Sequence, residues 1–448
     1  MKSNDMLHGR AGKSLFLFAL PMIIGNLFQQ FYTMVDSIIV GRFVGEDALA
    51  AVGASYALTT VFISIAIGGG VGASVLTSQY LGAKNYPKMK TSIYTALFTF
   101  LGISIILGIC GVLLSPIIMQ WLNTPDNIIA QASLYLRIYF LGLPFLFMYN
   151  VLSSIFNSMG KSKIPLYLLI FSSVLNVVMD LVFVYQLHLG IAGVAWATLL
   201  AQGISAVMSF LLLLRYLKTF ANTKGLKMYD LYVLGKMFRI AVPSILQQSI
   251  VSIGMMLVQS VVNGFGSEVL AGYSAAMRIE SISVVPLSAM GNAVSTFTAQ
   301  NIGANQKDRV KKGYFSGYLI VALFAVIICL TLELFHTPII SAYLNKESSA
   351  LALQTGTSYL KFMGFFFVMI GLKMITDGLL RGAGDMKVFT IANLVNLSIR
   401  VFVAFHFAPV WGVAAVWYAV PMGWTANYLL SFGRYLTGKW KAVKLGQT

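Results

Sequence analysis

Four oxygen-bearing side chains set in apolar surroundings carry the chemistry open to this sequence: Asp36, Asn176, Asp180 and Thr198. Carboxylate, amide and hydroxyl oxygens are the ligands of a hard cation. Two neighbouring carboxylates also make a proton site, because they resist ionising together. The set suits Na+ and H+ equally and does not choose between them. A carboxylate on a membrane-spanning helix costs at least ~2.5 kcal/mol, so an acid kept there points to function. The competing reading is structural: such groups hydrogen-bond helices to one another, and its sharpest form is a salt bridge to Arg137.

The elements that must position these residues are long apolar helices. Hydrophobic residues make up 58% of the chain and charged residues 10%, with a mean hydropathy of +0.80. Soluble domains carry about one quarter charged residues, so the composition is that of an all-α integral membrane protein. The stretch from Ser14 to Gly41 contains a single charge, Asp36, and as a helix it rises roughly 40 Å, more than a ~30 Å hydrocarbon core. Pro21 inside it is expected to kink the helix. Apolar runs predict twelve spans near 14–41, 50–78, 92–114, 129–153, 164–186, 190–214, 238–264, 269–299, 314–335, 353–379, 388–407 and 410–434. On those boundaries Asp36 lies about 8 Å, Asp180 about 9 Å and Thr198 about 12 Å below one surface. Asn176 and Asp180, spaced i and i+4, share a helix face.

The net charge of +17 suggests nucleic acid only until the basic residues are placed. Most of the 31 fall at the termini and in loops after even-numbered spans, whereas loops after odd-numbered spans hold Arg42 and Lys346. This asymmetry puts both termini in the cytoplasm and needs no nucleic-acid partner. Gly12-Lys13-Ser14 imitates the end of a phosphate-binding loop, but Leu7 stands where that loop needs glycine, so no nucleotide site is expected. Cys110 and Cys329 fall in apolar segments and read as buried thiols. The four histidines are scattered and form no metal or nucleophile constellation, so no enzyme is expected. No repeated selectivity segment suggests a channel.

The chain repeats itself. Ala19-Leu20-Pro21 with Gln29-Gln30 returns as Ala241-Val242-Pro243 with Gln247-Gln248. Thr77-Ser78-Gln79-Tyr80-Leu81-Gly82-Ala83 returns as Thr298-Ala299-Gln300-Asn301-Ile302-Gly303-Ala304. Two six-helix bundles follow, in parallel orientation, with lobes at 1–214 and 238–448 joined by a basic cytoplasmic linker at 215–237. Such a pair can rock about a central site, which is alternating access. The copies differ at the candidate site: Asp36 aligns with Gln259, Asn176 with Asn396, Asp180 with Arg400 and Thr198 with Trp417. Intramembrane charges of the second half are Glu280, Lys373, Asp377 and Arg400. Lys373 and Asp377 can pair at i, i+4; Glu280 can pair with Arg400 or with Arg278, and structural pairing of this kind is set against the alternative that Glu280 and Arg400 contact substrate. Gly68 and Gly72 read as a close helix-packing pair.

These residues together resemble the multidrug and toxic compound extrusion (MATE) family over essentially the whole chain. The resemblance rests on Pro21 with Gln29-Gln30, Met34-Val35-Asp36-Ser37, the two Gln…Gly-Ala segments, and Asn176…Asp180 followed by Gly193…Ala197-Thr198. It is closest to the DinF-like branch. It implies a V-shaped fold of two six-helix lobes and antiport, in which organic, cationic, amphipathic drugs or toxic compounds leave in exchange for Na+ or H+. It implies a coupling-ion site at Asp36, Asn176, Asp180 and Thr198, a cavity lined by Gln29, Gln30 and Asn150, and helix bending at Pro21 and its counterpart Pro243. The expected protein is a monomer of the plasma or inner membrane that needs only its coupling ion as cofactor. A flippase for a lipid-linked precursor shares the architecture and is the alternative; it should have a strongly cationic cavity.

Overall fold

A computed structural model describes residues 6–122, 124–220, 225–344 and 349–442; Lys346 and part of the linker lie outside them. Among the described residues every regular element is helical. The helices are α1 (Ala11–Ile39), α2 (Glu46–Gly82), α3 (Tyr86–Trp121), α4 (Asp126–Leu141), α5 (Leu143–Ser158), α6 (Lys163–Asp180) and α7 (Gly190–Leu217). The second set is α8 (Leu231–Asn263), α9 (Ser267–Gly303), α10 (Lys307–Ser341), α11 (Ala350–Gly364), α12 (Phe367–Ala383), α13 (Met386–Trp411) and α14 (Ala414–Leu436). Among the described residues nine helices are long and apolar enough to cross a membrane. Two bent pairs, α4 with α5 at 50° and α11 with α12 at 54°, raise the number to 11. The expected twelfth span coincides with α14, 23 residues long and less apolar than the others. The α4–α5 break has a local cause: Pro144 in the first turn of α5 lacks the N–H that a continuous helix would use.

The duplication is written in the backbone. Positive φ angles recur in pairs: Gly45 (112°) with Gly266 (94°), Lys84 (54°) with Asn305 (58°), Gly160 (73°) with Gly384 (81°) and Gly190 (58°) with Gly412 (61°). Gly45 and Gly266 occupy conformations that a Cβ makes costly, and each opens a 37-residue helix.

Two compact units divide the chain: one comprises Met1–Ile23 with Leu246–Thr448, the other Ile24–Ile245. The division departs from the expected 1–214 and 238–448 at two helices. The start of α1 packs with the carboxyl-terminal helices, and the start of α8 with the amino-terminal ones. Each change of unit falls two residues after a proline, Pro21 or Pro243, and both helices run through without a break. Contacts inside each unit explain the exchange. Arg309 on α10 donates to the carbonyls of Met6 (3.1 Å), His8 (2.7 Å) and Gly9 (2.6 Å), holding the segment before α1. On α3, Thr91 and Thr95 accept from the backbone N–H of Lys227 (3.1 Å) and Asp230 (3.2 Å), holding the segment before α8. A Cβ at Gly68 would stand 2.6 Å from the Ile245 nitrogen and one at Gly72 2.8 Å from the Met237 oxygen, so these glycines admit the α8 backbone against α2.

The thiols correct a sequence expectation. Cys110 is exposed and Cys329 half-buried. An apolar segment of a membrane protein turns much of its surface to lipid, so hydropathy does not imply burial in protein.

Candidate functional site

In the unit from Ile24 to Ile245, α1, α6 and α7 bring the four expected residues together. Asp180 is the last residue of α6 and fully buried; Asn176, one turn earlier, is 2% exposed. Asp36 and Thr198 are half-buried. The carboxyl groups of Asp36 and Asp180 lie within hydrogen-bonding range of each other. With its amide nitrogen turned to the acids, Asn176 donates to Asp180 Oδ2 (3.0 Å) and to Tyr32 Oη (2.6 Å). Its oxygen then accepts from the Thr198 N–H (3.0 Å) and hydroxyl (3.3 Å). One oxygen of each acid, Asp36 Oδ1 and Asp180 Oδ1, is closed off and has no hydrogen-bond partner among the described residues.

Arg137 is exposed, and among the described residues no ion pair joins either aspartate to a basic side chain. The salt bridge that would have made the cluster purely structural is therefore not formed. No group of three His, Cys, Asp or Glu side chains forms a metal site among the described residues. A cation held here would take two carboxylates and neutral oxygens, a donor set suited to a hard monovalent ion or a proton.

Two tyrosines belong to the cluster and escaped the sequence reading. Tyr32 stands one turn before Asp36 and meets Asn176; Tyr135 on α4 lies within electrostatic reach of both aspartates. The i, i+4 spacing of Tyr32 and Asp36 was the available signal. Tyr135 and Thr198 also line a small cleft with Tyr139 and Gln202. Both acid-bearing helices pass directly into π-helical turns, Val40–Val44 after α1 and Leu181–Gln186 after α6. The turns touch each other, with Phe43 and Tyr185 edge to face at 5.9 Å. Such turns concentrate at functional sites because the widened ring frees backbone groups and re-aims side chains.

Comparison with known proteins now decides the family. The MatE family model matches residues 21–182 and again 243–406. The chain belongs to the MatE family. A probable multidrug resistance protein of Bacillus subtilis, YpnP, is 30% identical over 99% of both chains. Another from the same organism, YoeA, is 31% identical over 94% of this chain and 93% of its own. A solved outward-facing multidrug resistance MATE family transporter superposes with a TM-score of 0.90 over 99% of both chains at 24% identity, which bears on fold. As a MatE protein this chain is a multi-pass membrane transporter and not an enzyme. The twofold match also agrees with the backbone duplication.

The remaining expected residues are dispersed. Gln29 and Gln30 are exposed on α1. Asn150 on α5 donates to the Leu146 carbonyl (2.9 Å). In the other unit, Glu280 is buried and accepts from the Tyr359 hydroxyl. Arg400 is buried on α13. Lys373 and Asp377 pair at 2.9 Å as their spacing suggested, with Asn393 and Ser431 completing the contacts.

Proposed function

We propose that this protein is a secondary active antiporter that exports organic, cationic, amphipathic molecules of drug-like type in exchange for Na+ or H+, by alternating access. The observation that carries the reading is the Asp36–Asp180 contact. Two carboxylates in contact repel unless a positive charge lies between them. Among the described residues no basic side chain supplies that charge by pairing with them. An exchangeable ion is the natural source, and the orphaned oxygens Asp36 Oδ1 and Asp180 Oδ1 are free to receive it.

Each neighbour then has a task. Asn176 holds Asp180 in place and, through its oxygen, ties α6 to Thr198 on α7. Tyr32 carries the state of the acids along α1 toward Pro21. Gln29, Gln30, Asn150, Glu280 and Arg400 are assigned to substrate contact. The multidrug resistance names of the relatives support the substrate class. The distribution of basic residues supports an inner or plasma membrane location with both termini cytoplasmic, and the protein is assigned as a monomer.

Transport of a fluorescent cationic dye into or out of proteoliposomes, with Na+ and H+ gradients imposed separately, tests this. One of the two gradients is expected to drive the dye uphill, and Asp36→Asn to abolish that movement while leaving the protein folded. Dye that merely equilibrates under both gradients would refute antiport.

A further inference from the structure

The duplication gives α13 and α14 the places that α6 and α7 hold in the other unit, with the charge reversed. Asn396 and Arg400 stand one turn apart on α13, where the first copy has Asn176 and Asp180, and Trp417 on α14 takes the place of Thr198. Asn396 and Arg400 are 6% and 7% exposed. The α14 backbone presses on both at Gly423, where a Cβ would meet Asn396 Oδ1 first and stand 2.8 Å from Arg400 Cγ and 2.9 Å from the Asn396 carbonyl oxygen, so the Asn396 amide and the Arg400 stem are both fixed against α14.

Three buried polar atoms at this place have no partner among the described residues: Asn396 Oδ1, Arg400 Nε and Trp417 Nε1. The acids nearby do not answer the guanidinium. Glu280 on α9 is near enough for the Arg400 charge to act on it, yet no ion pair forms between them, and Tyr359 donates to its Oε2. Asp377 is committed to Lys373 and Ser431. Guanidinium and indole N–H groups donate only, and a buried charge without a contact partner is unfavourable. A fixed positive charge with a second unpaired donor asks for an acceptor that carries negative charge. The guanidinium fork fits a carboxylate or phosphate through two parallel hydrogen bonds. Beside it, Tyr359 meets Trp417 edge to face at 6.1 Å and Tyr273 at 5.5 Å, an aromatic wall for an apolar body.

We propose that Arg400 and Trp417 form a receptor for one oxyanion group borne by an organic molecule. The proposal rests on the transport reading only in treating the occupant as cargo; binding itself is independent of any gradient.

Thermal unfolding of the purified full chain in detergent, titrated with benzoate and separately with inorganic phosphate at constant ionic strength, tests it. Benzoate is expected to raise the Tm saturably. Arg400→Gln should remove the effect. Arg400→Lys keeps the charge without the fork, and Trp417→Phe removes a single donor at nearly constant volume; each should weaken the apparent affinity about tenfold. A response to benzoate that exceeds the response to phosphate supports the proposal; phosphate that matches benzoate makes a free anion the occupant and overturns the assignment to an organic molecule. Unchanged benzoate affinity in both Arg400→Lys and Trp417→Phe, or no saturable response to either anion in the wild type, overturns the proposal. Asp36→Asn should bind benzoate normally, so failure of antiport and failure of this site are told apart.

Discussion

Side by side, Asp36 and Asp180 resist ionising together unless a positive charge lies between them, and Asn176 joins Asp180 to Tyr32 and Thr198. Asn176→Leu removes the donor to Asp180 and the tie to Thr198. It is expected to raise the ion concentration for half-maximal dye transport about tenfold or more, since a hydrogen bond to a charged group contributes ~1.5–3 kcal/mol and tenfold corresponds to about 1.4. Arg137→Gln, at an exposed position without an ion pair among the described residues, should leave that concentration unchanged. The four cluster residues were legible in the sequence because oxygen-bearing side chains stand out in an apolar background and helical spacing sets their depth. Tyr32 and Tyr135 were not, because tyrosine is common in such a chain, 21 in all, and serves packing and interfaces equally well. The π-helical turns beside both acids have no compositional signature at all.

At the scale of the helix, hydropathy located the spans and missed how some of them are built. Two expected single spans, 129–153 and 353–379, are bent pairs, because a turn at Gly142 or Phe365 changes direction without changing composition. The exchange of the first parts of α1 and α8 between units was equally hidden, since it depends on polar contacts from α10 and α3 to segments distant in sequence. Asp230 makes one of these entries stable. It caps α8, accepting from the N–H groups of Tyr232 (2.8 Å) and Val233 (3.4 Å), and pairs with Lys227 at 3.3 Å. Partial burial alone would raise its carboxyl, but these donors outweigh it and hold the group below the usual carboxylate range. A depressed folded value means stability that is present above the unfolded value of ~3.9 and is lost as pH falls through the folded one. Asp230→Ala should therefore lower the Tm near neutral pH, by the equivalent of about 1 kcal/mol for a lost cap. The deficit should shrink once the pH drops below ~3.9, as thermal unfolding across a pH series would show.

For the whole molecule, duplication followed by divergence explains the pattern of charge. Both copies keep the same turns and the same bent helix pair, yet one copy places an acid where the other places Arg400. Each copy could thus keep its packing while its charges took different tasks. Under the proposed antiport, exchange of one monovalent ion would fix the electrical behaviour. One charge moving inward at ~100 mV supplies about 2.3 kcal/mol, and a tenfold ion gradient about 1.4. Export of a neutral solute against a hundredfold gradient needs about 2.7 kcal/mol, which one ion can provide. Solid-supported membrane electrophysiology is expected to record a current for neutral substrates and none for a monovalent cation exchanged one for one. The central claim is that a small positive ion enters and leaves the Asp36–Asp180 pair. Its most direct test is ion release from proteoliposomes on addition of substrate, followed with radioactive sodium and with a pH dye. Wild-type protein is expected to move one of the two ions in response to substrate, with the response lost in both Asp36→Asn and Asp180→Asn. Undiminished substrate-driven ion movement in either variant would contradict it.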